Sequence, residues 1–345
     1  MTSPISRRDF LYAGTAGAGA LAVAILGSKS GKSVYAGLGG GTTTVVARKN
    51  GSISQMVDAS VSAAGGMGFA SGRKVAVKVN GAWSIPEANT SPGVVGRVCS
   101  LVMAAGASQV TVYDHSIHST PTNQKPAWRS IADAAQSNGA KVVLLGNNSS
   151  DYVTKSVPGV VIKTTEIAKV LENADVLVNV PKLKTHSGAK VTISLKNHLG
   201  TVRERGPIHS AGLGQAIADL NTCATIRGKH RMSVVDAINP MVTGGPSSGT
   251  YSNYNGIIAG RDPVAVDYVS TQIIRRYNSG VPENPSHISN AASLGLGTND
   301  PGSIYFDEGG VGTPVPELSI PLAAAGLGAV ALISRKKLGP SPKTE

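Results

Sequence analysis

The stretch Ala174–His186, ADVLVNVPKLKTH, decides how the rest of the chain is read. Its first half is a β-branched apolar run of strand length, dense enough to be buried on both faces. It stops at Pro181 and delivers Lys182, Lys184 and His186 directly afterwards. The cations continue through Lys190, Lys196 and His198 to Gly200, and no carboxylate interrupts them. In open parallel sheets, ligands bind in the crevice beyond the carboxyl ends of the strands. An apolar strand that ends in lysines therefore suggests a sheet with a cationic crevice.

The same pattern recurs outward from this stretch. Lys74–Val79, Gln109–Asp114, Lys141–Leu145, Met232–Ile238 and Gly256–Gly260 predict further strands. Gly93–Ala105, Pro126–Asn138, Thr165–Glu172, Leu213–Thr225 and Pro263–Arg276 predict helices. Strands separated by helix-length segments imply βαβ units. The expected class is α/β: a mostly parallel sheet with helices on both faces, in Rossmann-like layering. Residues 72–298 form the expected domain. Residues 37–71 read as a lead-in and 299–315 as a Gly-rich linker.

The strands run out into polar residues. Lys74–Val79 leads to Asn80, the next strand to Asp114, Ala174–Val180 to Lys182, and Met232–Val235 to Asp236. If the strands are adjacent, these ends converge. Asn80, Asp114, Lys182, Asn197 and Asp236 are the expected ligand-binding residues, and Lys184, His186 and Lys196 the expected catalytic ones. His186 suits general acid/base work, and a lysine of lowered pKa suits a base or an electrostatic stabiliser. The bland reading stands beside this one. Asp after a strand often caps the next helix, and Lys-Leu-Lys alternation also suits an exposed strand extension. The density of cations without local acid favours an anion pocket. His186 and His198 are candidate metal ligands, although their spacing matches no local metal motif and the neighbouring lysines oppose a dication. Thr243–Gly249 is either an anion cradle or only a turn.

The two ends suggest a location. Ser6-Arg7-Arg8-Asp9-Phe10-Leu11, an apolar run to Leu26, and Val34 and Ala36 before Gly37 together make an export signal over residues 1–36, resembling the twin-arginine type. Such a signal makes the Tat export machinery a partner. At the other end, a short apolar run from Leu318 to Ile333 precedes Arg335, Lys336 and Lys337, so residues 316–345 read as a membrane anchor or sorting tail. The expected location is periplasmic or cell-surface and membrane-associated.

Composition bounds the partners. The chain of 345 residues carries a formal net charge of +12. Without residues 1–36 and 334–345, 24 basic and 18 acidic residues remain, a balance of +6 that suits a small anion. Aromatics at 4% lack the stacking surfaces of a single-strand nucleic-acid binder, so no nucleic-acid partner is expected. Two cysteines, Cys99 and Cys223, cannot ligate an iron–sulfur cluster by themselves. They are either one disulfide or two buried thiols.

A set of motifs resembles a known family. Lys78-Val-Asn80, Pro181-Lys-Leu-Lys-Thr-His186, Ser194-Leu-Lys-Asn197 with Gly200, Val234-Val-Asp-Ala237, Gly244-Gly-Pro246 and Gly260-Arg-Asp-Pro-Val-Ala-Val-Asp267 look like the prokaryotic domain of unknown function 362. The resemblance covers about residues 72–276. It implies importance for Asn80, Lys182, Lys184, His186, Lys196, Asn197, Asp236, Asp262 and Asp267, but no common reaction. Many members are fused to ferredoxin-type modules, and this chain departs there because it has no such cysteine motif. A fainter similarity, in a Lys/His pocket on an α/β fold, is to nickel-pincer lactate racemase-type proteins. The cofactor is open. So is the choice between an enzyme and a non-catalytic ligand-binding or cell-surface protein.

Overall fold

The computed structural model describes residues 23–27, 33–37, 42–81, 83–116 and 125–311. The tail at 316–345 and most of the expected export signal lie outside these residues. Strands β1 (Val23–Gly27) and β2 (Ser33–Gly37) pair antiparallel in a sheet of their own.

The frame is a ten-stranded sheet built from β3 (Thr43–Lys49), β4 (Lys74–Val79), β5 (Gln109–His115), β6 (Lys141–Leu145), β9 (Val176–Val180), β10 (Lys182–His186), β11 (Lys190–Thr192), β12 (His230–Met241), β13 (Gly256–Gly260) and β14 (Ile304–Gly310). The order is β14-β3-β13-β12-β9-β4-β5-β6, with β10 paired to both β12 and β11. The stretch from β12 through β9, β4 and β5 to β6 is parallel throughout. Antiparallel pairing is confined to β13 with its neighbours and to the β10–β11 hairpin. A second small sheet pairs β7 (Tyr152–Ser156) with β8 (Thr164–Ala168).

The period of two along each strand sorts side chains to two faces. Val75, Val77, Val79, Val176 and Val178 point into one core, covered by α1 (Ile53–Ala63), α2 (Pro92–Ala104) and α3 (Lys125–Gln136). Ala76, Tyr113 and Leu177 point into the other. That face carries α4 (Lys169–Glu172), α5 (Ser194–Asn197), α6 (Gly206–Ser210), α7 (Leu213–Thr222), α8 (Ala224–Lys229), α9 (Pro263–Arg275) and α10 (Ser286–Ser293). The α/β class is as expected, and Asp262 caps α9 by accepting from Val264 N and Ala265 N.

Four segments differ from the sequence reading. Thr165–Glu172 is not one helix: Thr164–Ala168 is β8, and only Lys169–Glu172 is helical. Its β-branched, alternating start fits either period, and the antiparallel partner β7 decides it. The helix expected over Leu213–Thr225 ends at Thr222, and Cys223 caps a second one, α8. The lead-in supplies β3, which sits inside the sheet, and α1, which opens with a Ser52/Gln55 capping box. The Gly-rich linker supplies β14, in parallel register with β3. Its glycines signalled a turn, but an ion pair at 2.7 Å between buried Arg48 and Asp307 ties the two strands together.

Cys99 and Cys223 are both free and buried, in opposite cores of the sheet. Among the described residues no helix is long and apolar enough to cross a membrane.

Candidate anion site at the strand ends

The registers bring the polar strand ends together. Lys78 on β4 lies opposite Asn179 on β9 and Tyr113 on β5. Lys182 on β10 lies opposite Asp236 on β12. Lys78, Asn80, Asp114, Lys182, Lys184, Asn197 and Asp236 are all buried, and Lys196 is 9% exposed.

Two of the lysines are neutralised. Lys78 Nζ stands 2.6 Å from Asp114 Oδ1, and Lys182 Nζ 3.2 Å from Asp236 Oδ2. Both carboxylates are further saturated by backbone. Asp114 accepts from Gly81 N and His115 N, and Asp236 from Ser91 N, Ser91 Oγ and Ile238 N. Their oxygens are spent on holding the crevice. Burial lowers the pKa of Lys78, and the Asp114 charge opposes that shift.

The other two lysines differ. Lys184 Nζ donates to Asn80 Oδ1 at 3.0 Å and Ala88 O at 2.7 Å, both neutral, and lies 5.9 Å from the Trp83 ring. Burial, then the Lys196 charge, drives its pKa well below the ordinary lysine value. Lys196 Nζ has no hydrogen-bond or ion-pair partner among the described residues. Burial, then the Arg205 charge, lowers it to about 8.

The turn that presents Lys196 is held from beneath. Asp267 on α9, fully buried, accepts from Ser194 N at 2.7 Å and Leu195 N at 3.0 Å, which are the first amides of α5. Burial raises the Asp267 carboxyl to about 7 against those hydrogen bonds. Asn197, next on the same turn, accepts from Asn80 Nδ2 at 3.1 Å and donates to Asn179 Oδ1 at 2.7 Å. Gly200 comes where only hydrogen fits, since a Cβ there would overlap Asp114 Oδ1 and sit 2.7 Å from Lys78 Nζ.

The two histidines part company. His186 Nδ1 accepts from Gly188 N at 3.0 Å and Ala189 N at 3.1 Å, which leaves the proton on Nε2 as a donor. Burial, then Lys196, lowers its pKa to about 3. His198 is fully buried between Asn179 and Thr201, and burial, then His230 and Lys78, drives its pKa well below the ordinary histidine value. The two rings do not share a ligand shell, and among the described residues no group of three His, Cys, Asp or Glu is placed to hold a metal ion. In the Thr243–Gly249 loop, Gly245 N donates to Ser248 O, so the turn uses the amide that a cradle would offer.

Lys78, Asn179 and Arg205 are absent from the expected site residues, although Lys78 opens one of the family motifs. Lys78 had a signal, a lysine on an inward position of a buried strand. Arg205 had none. Its Nη2 donates to Ser116 O at 2.9 Å, and its charge acts on both Lys78 and Lys196. Two cavities of about 480 and 370 Å³ lie at the opposite, amino-terminal ends of β3, β12, β4 and β5; Leu195 lines the first, but none of these lysines lines either. The polar cluster, and not the larger hollow, carries the reactive groups.

The motifs that converge here lie within a stretch, residues 75–272, that matches the model of the family described as Domain of unknown function (DUF362). This chain is a DUF362 protein. The match runs from β4 into α9, so β3, α10 and β14 of this DUF362 protein fall outside it. A thylakoid-associated protein, sll1697 of Synechocystis sp. (strain ATCC 27184 / PCC 6803 / Kazusa), is 25% identical over 209 residues. The alignment takes in 57% of this chain and 60% of the relative's length. Among solved structures, the lactate racemase apoprotein of Thermoanaerobacterium thermosaccharolyticum aligns with a TM-score of 0.38 and 13% identity, over 80% of this chain and 62% of that one. L-idonate 5-dehydrogenase of Escherichia coli str. K-12 substr. MG1655 aligns with a TM-score of 0.18 and 15% identity, over 48% and 43%. Scores this low transfer no activity.

Proposed function

We propose that this protein binds a small anionic molecule, a carboxylate or phosphate, at the carboxyl ends of its central strands through Lys184, His186 and Lys196. The reading rests on one observation. Lys196 is buried with no acceptor for its Nζ among the described residues, while Lys78 and Lys182 each have a carboxylate. A lysine near pKa 8 is mostly charged at neutral pH, and an uncompensated buried charge is expensive unless an anion meets it. The Nε2 proton of His186 and the Lys184 amino group add donors. Asn80 and Asn197 orient Lys184, and Asp114, Lys182 and Asp236 keep the crevice neutral apart from its centre.

A catalytic role at the same site is the second reading, and the lowered pKa of Lys196 favours it. A lysine that loses its proton near pH 8 serves as a general base, with the Nε2–H of neutral His186 as a hydrogen-bond donor to the reacting group.

Calorimetric titration with inorganic phosphate and malonate tests the binding reading. Saturable binding that Lys196→Gln abolishes is expected. Equal heats for both proteins would overturn it. We further propose export by the twin-arginine route to a periplasmic or cell-surface position near the membrane, from the Arg7-Arg8 signal and the basic-ended tail. Retention of an Arg7→Lys/Arg8→Lys variant in the cytoplasm would support export, and normal fractionation would refute it.

A further inference from the structure

His287 is an anomaly. It sits at the second position of α10, fully buried, and both ring nitrogens lack a partner among the described residues. Buried imidazole nitrogens ordinarily find hydrogen bonds. Two empty ones on a single ring leave the side chain without a reason to be polar.

Its location supplies the reason. Helix α7 joins three parts of the molecule. At its start, Leu213 packs against the turn after His186: a Cβ on Gly188 would stand 3.1 Å from Leu213 Cδ2 and 3.7 Å from the His186 ring. The next residue, Gly214, lies so close to α10 that a Cβ there would overlap Ser286 Oγ and come within 3.5 Å of His287 N. Further along, Asn221 Nδ2 donates to Leu195 O at 3.0 Å, fixing the turn that carries Lys196. So α7 holds the His186 turn, the Lys196 turn and the start of α10 against one another. The electrostatics agree. Burial, then the Lys196 charge, lowers His287 to about 3, and His287 in turn acts on His186. Among the described residues no carboxylate contributes to His287 or to Lys196.

We propose that His287 is a ligand-contacting residue of the anion site, a neutral imidazole whose N–H donates to the bound anion beside Lys196. The proposal rests on the anion-binding reading of that site. It adds a residue from outside the 75–272 family match. A neutral donor next to cations favours an anion without adding a further charge to be desolvated, the role a pocket uses to set orientation.

The test uses the protein with its body intact, probed with malonate and inorganic phosphate. Affinities are measured for the wild type, Lys196→Gln and His287→Phe, together with the melting temperature of each ligand-free protein. Both substitutions are expected to weaken binding at least about tenfold, the scale of one hydrogen bond to a charged group. His287→Phe should still melt cooperatively, within about 10 °C of the wild type, because it loses no hydrogen bond among the described residues while its larger ring overpacks a fully buried position. Wild-type affinity in His287→Phe, with Lys196→Gln still defective, overturns this proposal and leaves the anion site standing. No binding of either probe by the wild type removes both. A lowered melting temperature with unchanged affinity assigns the ring to packing. If His287→Phe does not fold, the ring nitrogen resonances of the wild type decide. A shift on saturation with malonate supports contact, and unmoved resonances refute it.

Discussion

Lys78 Nζ lies 2.6 Å from Asp114 Oδ1, with each side chain 1% exposed, although 36 positions of chain and a whole helix separate the two residues. Only the side-by-side pairing of β4 and β5 makes this contact. Replacing Asp114 by Asn leaves a buried amine facing no charge, and such a loss costs about 3–5 kcal/mol. Urea denaturation should show this as a lower midpoint with an unchanged slope. A loss under about 1 kcal/mol would mean that the pair is dispensable.

Gly200 closes over the same pair. Gly200→Ala forces a methyl group against Asp114 and Lys78. Overpacking of this kind costs about 1–3 kcal/mol. Thermal melting of the single variant checks it, and a midpoint at or above the wild type would contradict the packing described.

Lys196 should impose a pH dependence. Its folded value of about 8 lies below the ordinary 10.5. Between those two values the unfolded chain binds more protons, so the stability of the ligand-free protein should rise with pH across that window. Binding of malonate should move oppositely, full below about pH 8 and falling above it as the ammonium is lost. Lys196→Gln should flatten both profiles. An affinity that holds steady from pH 7 to 10 would show that Lys196 does not meet the anion as a cation.

Asp307 tests whether the Gly-rich segment after residue 299 belongs to the fold. Asp307→Ala strips buried Arg48 of its carboxylate partner, at a cost of about 3 kcal/mol. The melting temperature should fall by roughly 6–12 °C. A change of less than about 2 °C would return this segment to the status of a linker.

The cysteines should behave as two separate thiols. Burial pushes the Cys99 thiol up to about 12, and Cys223 lies in the other core. Iodoacetamide should label neither residue in the native protein and both after denaturation without reductant. A mass short by two hydrogens, with no labelling, would demonstrate a disulfide instead.

The sequence by itself determined the parallel α/β class, because β-branched runs alternate with amphipathic segments and each period leaves its mark locally. It also placed the cations at strand ends, since that depends on neighbours a few residues away. It misread Thr43–Lys49 and Ile304–Gly310, where the strand signal was short and glycine or flanking turns outweighed it. Only the tertiary structure decided which lysines are charged partners and which stand alone. That distinction depends on sheet order: β4 beside β5 gives Lys78 its Asp114, and β10 beside β12 gives Lys182 its Asp236. Lys196 sits on a turn that Asp267 holds from below, where no strand brings it an acid. His287 joins through α7, a packing contact with no trace in the local pattern. Electrostatic identity is set by distance in space, and a sequence carries that distance only through the fold.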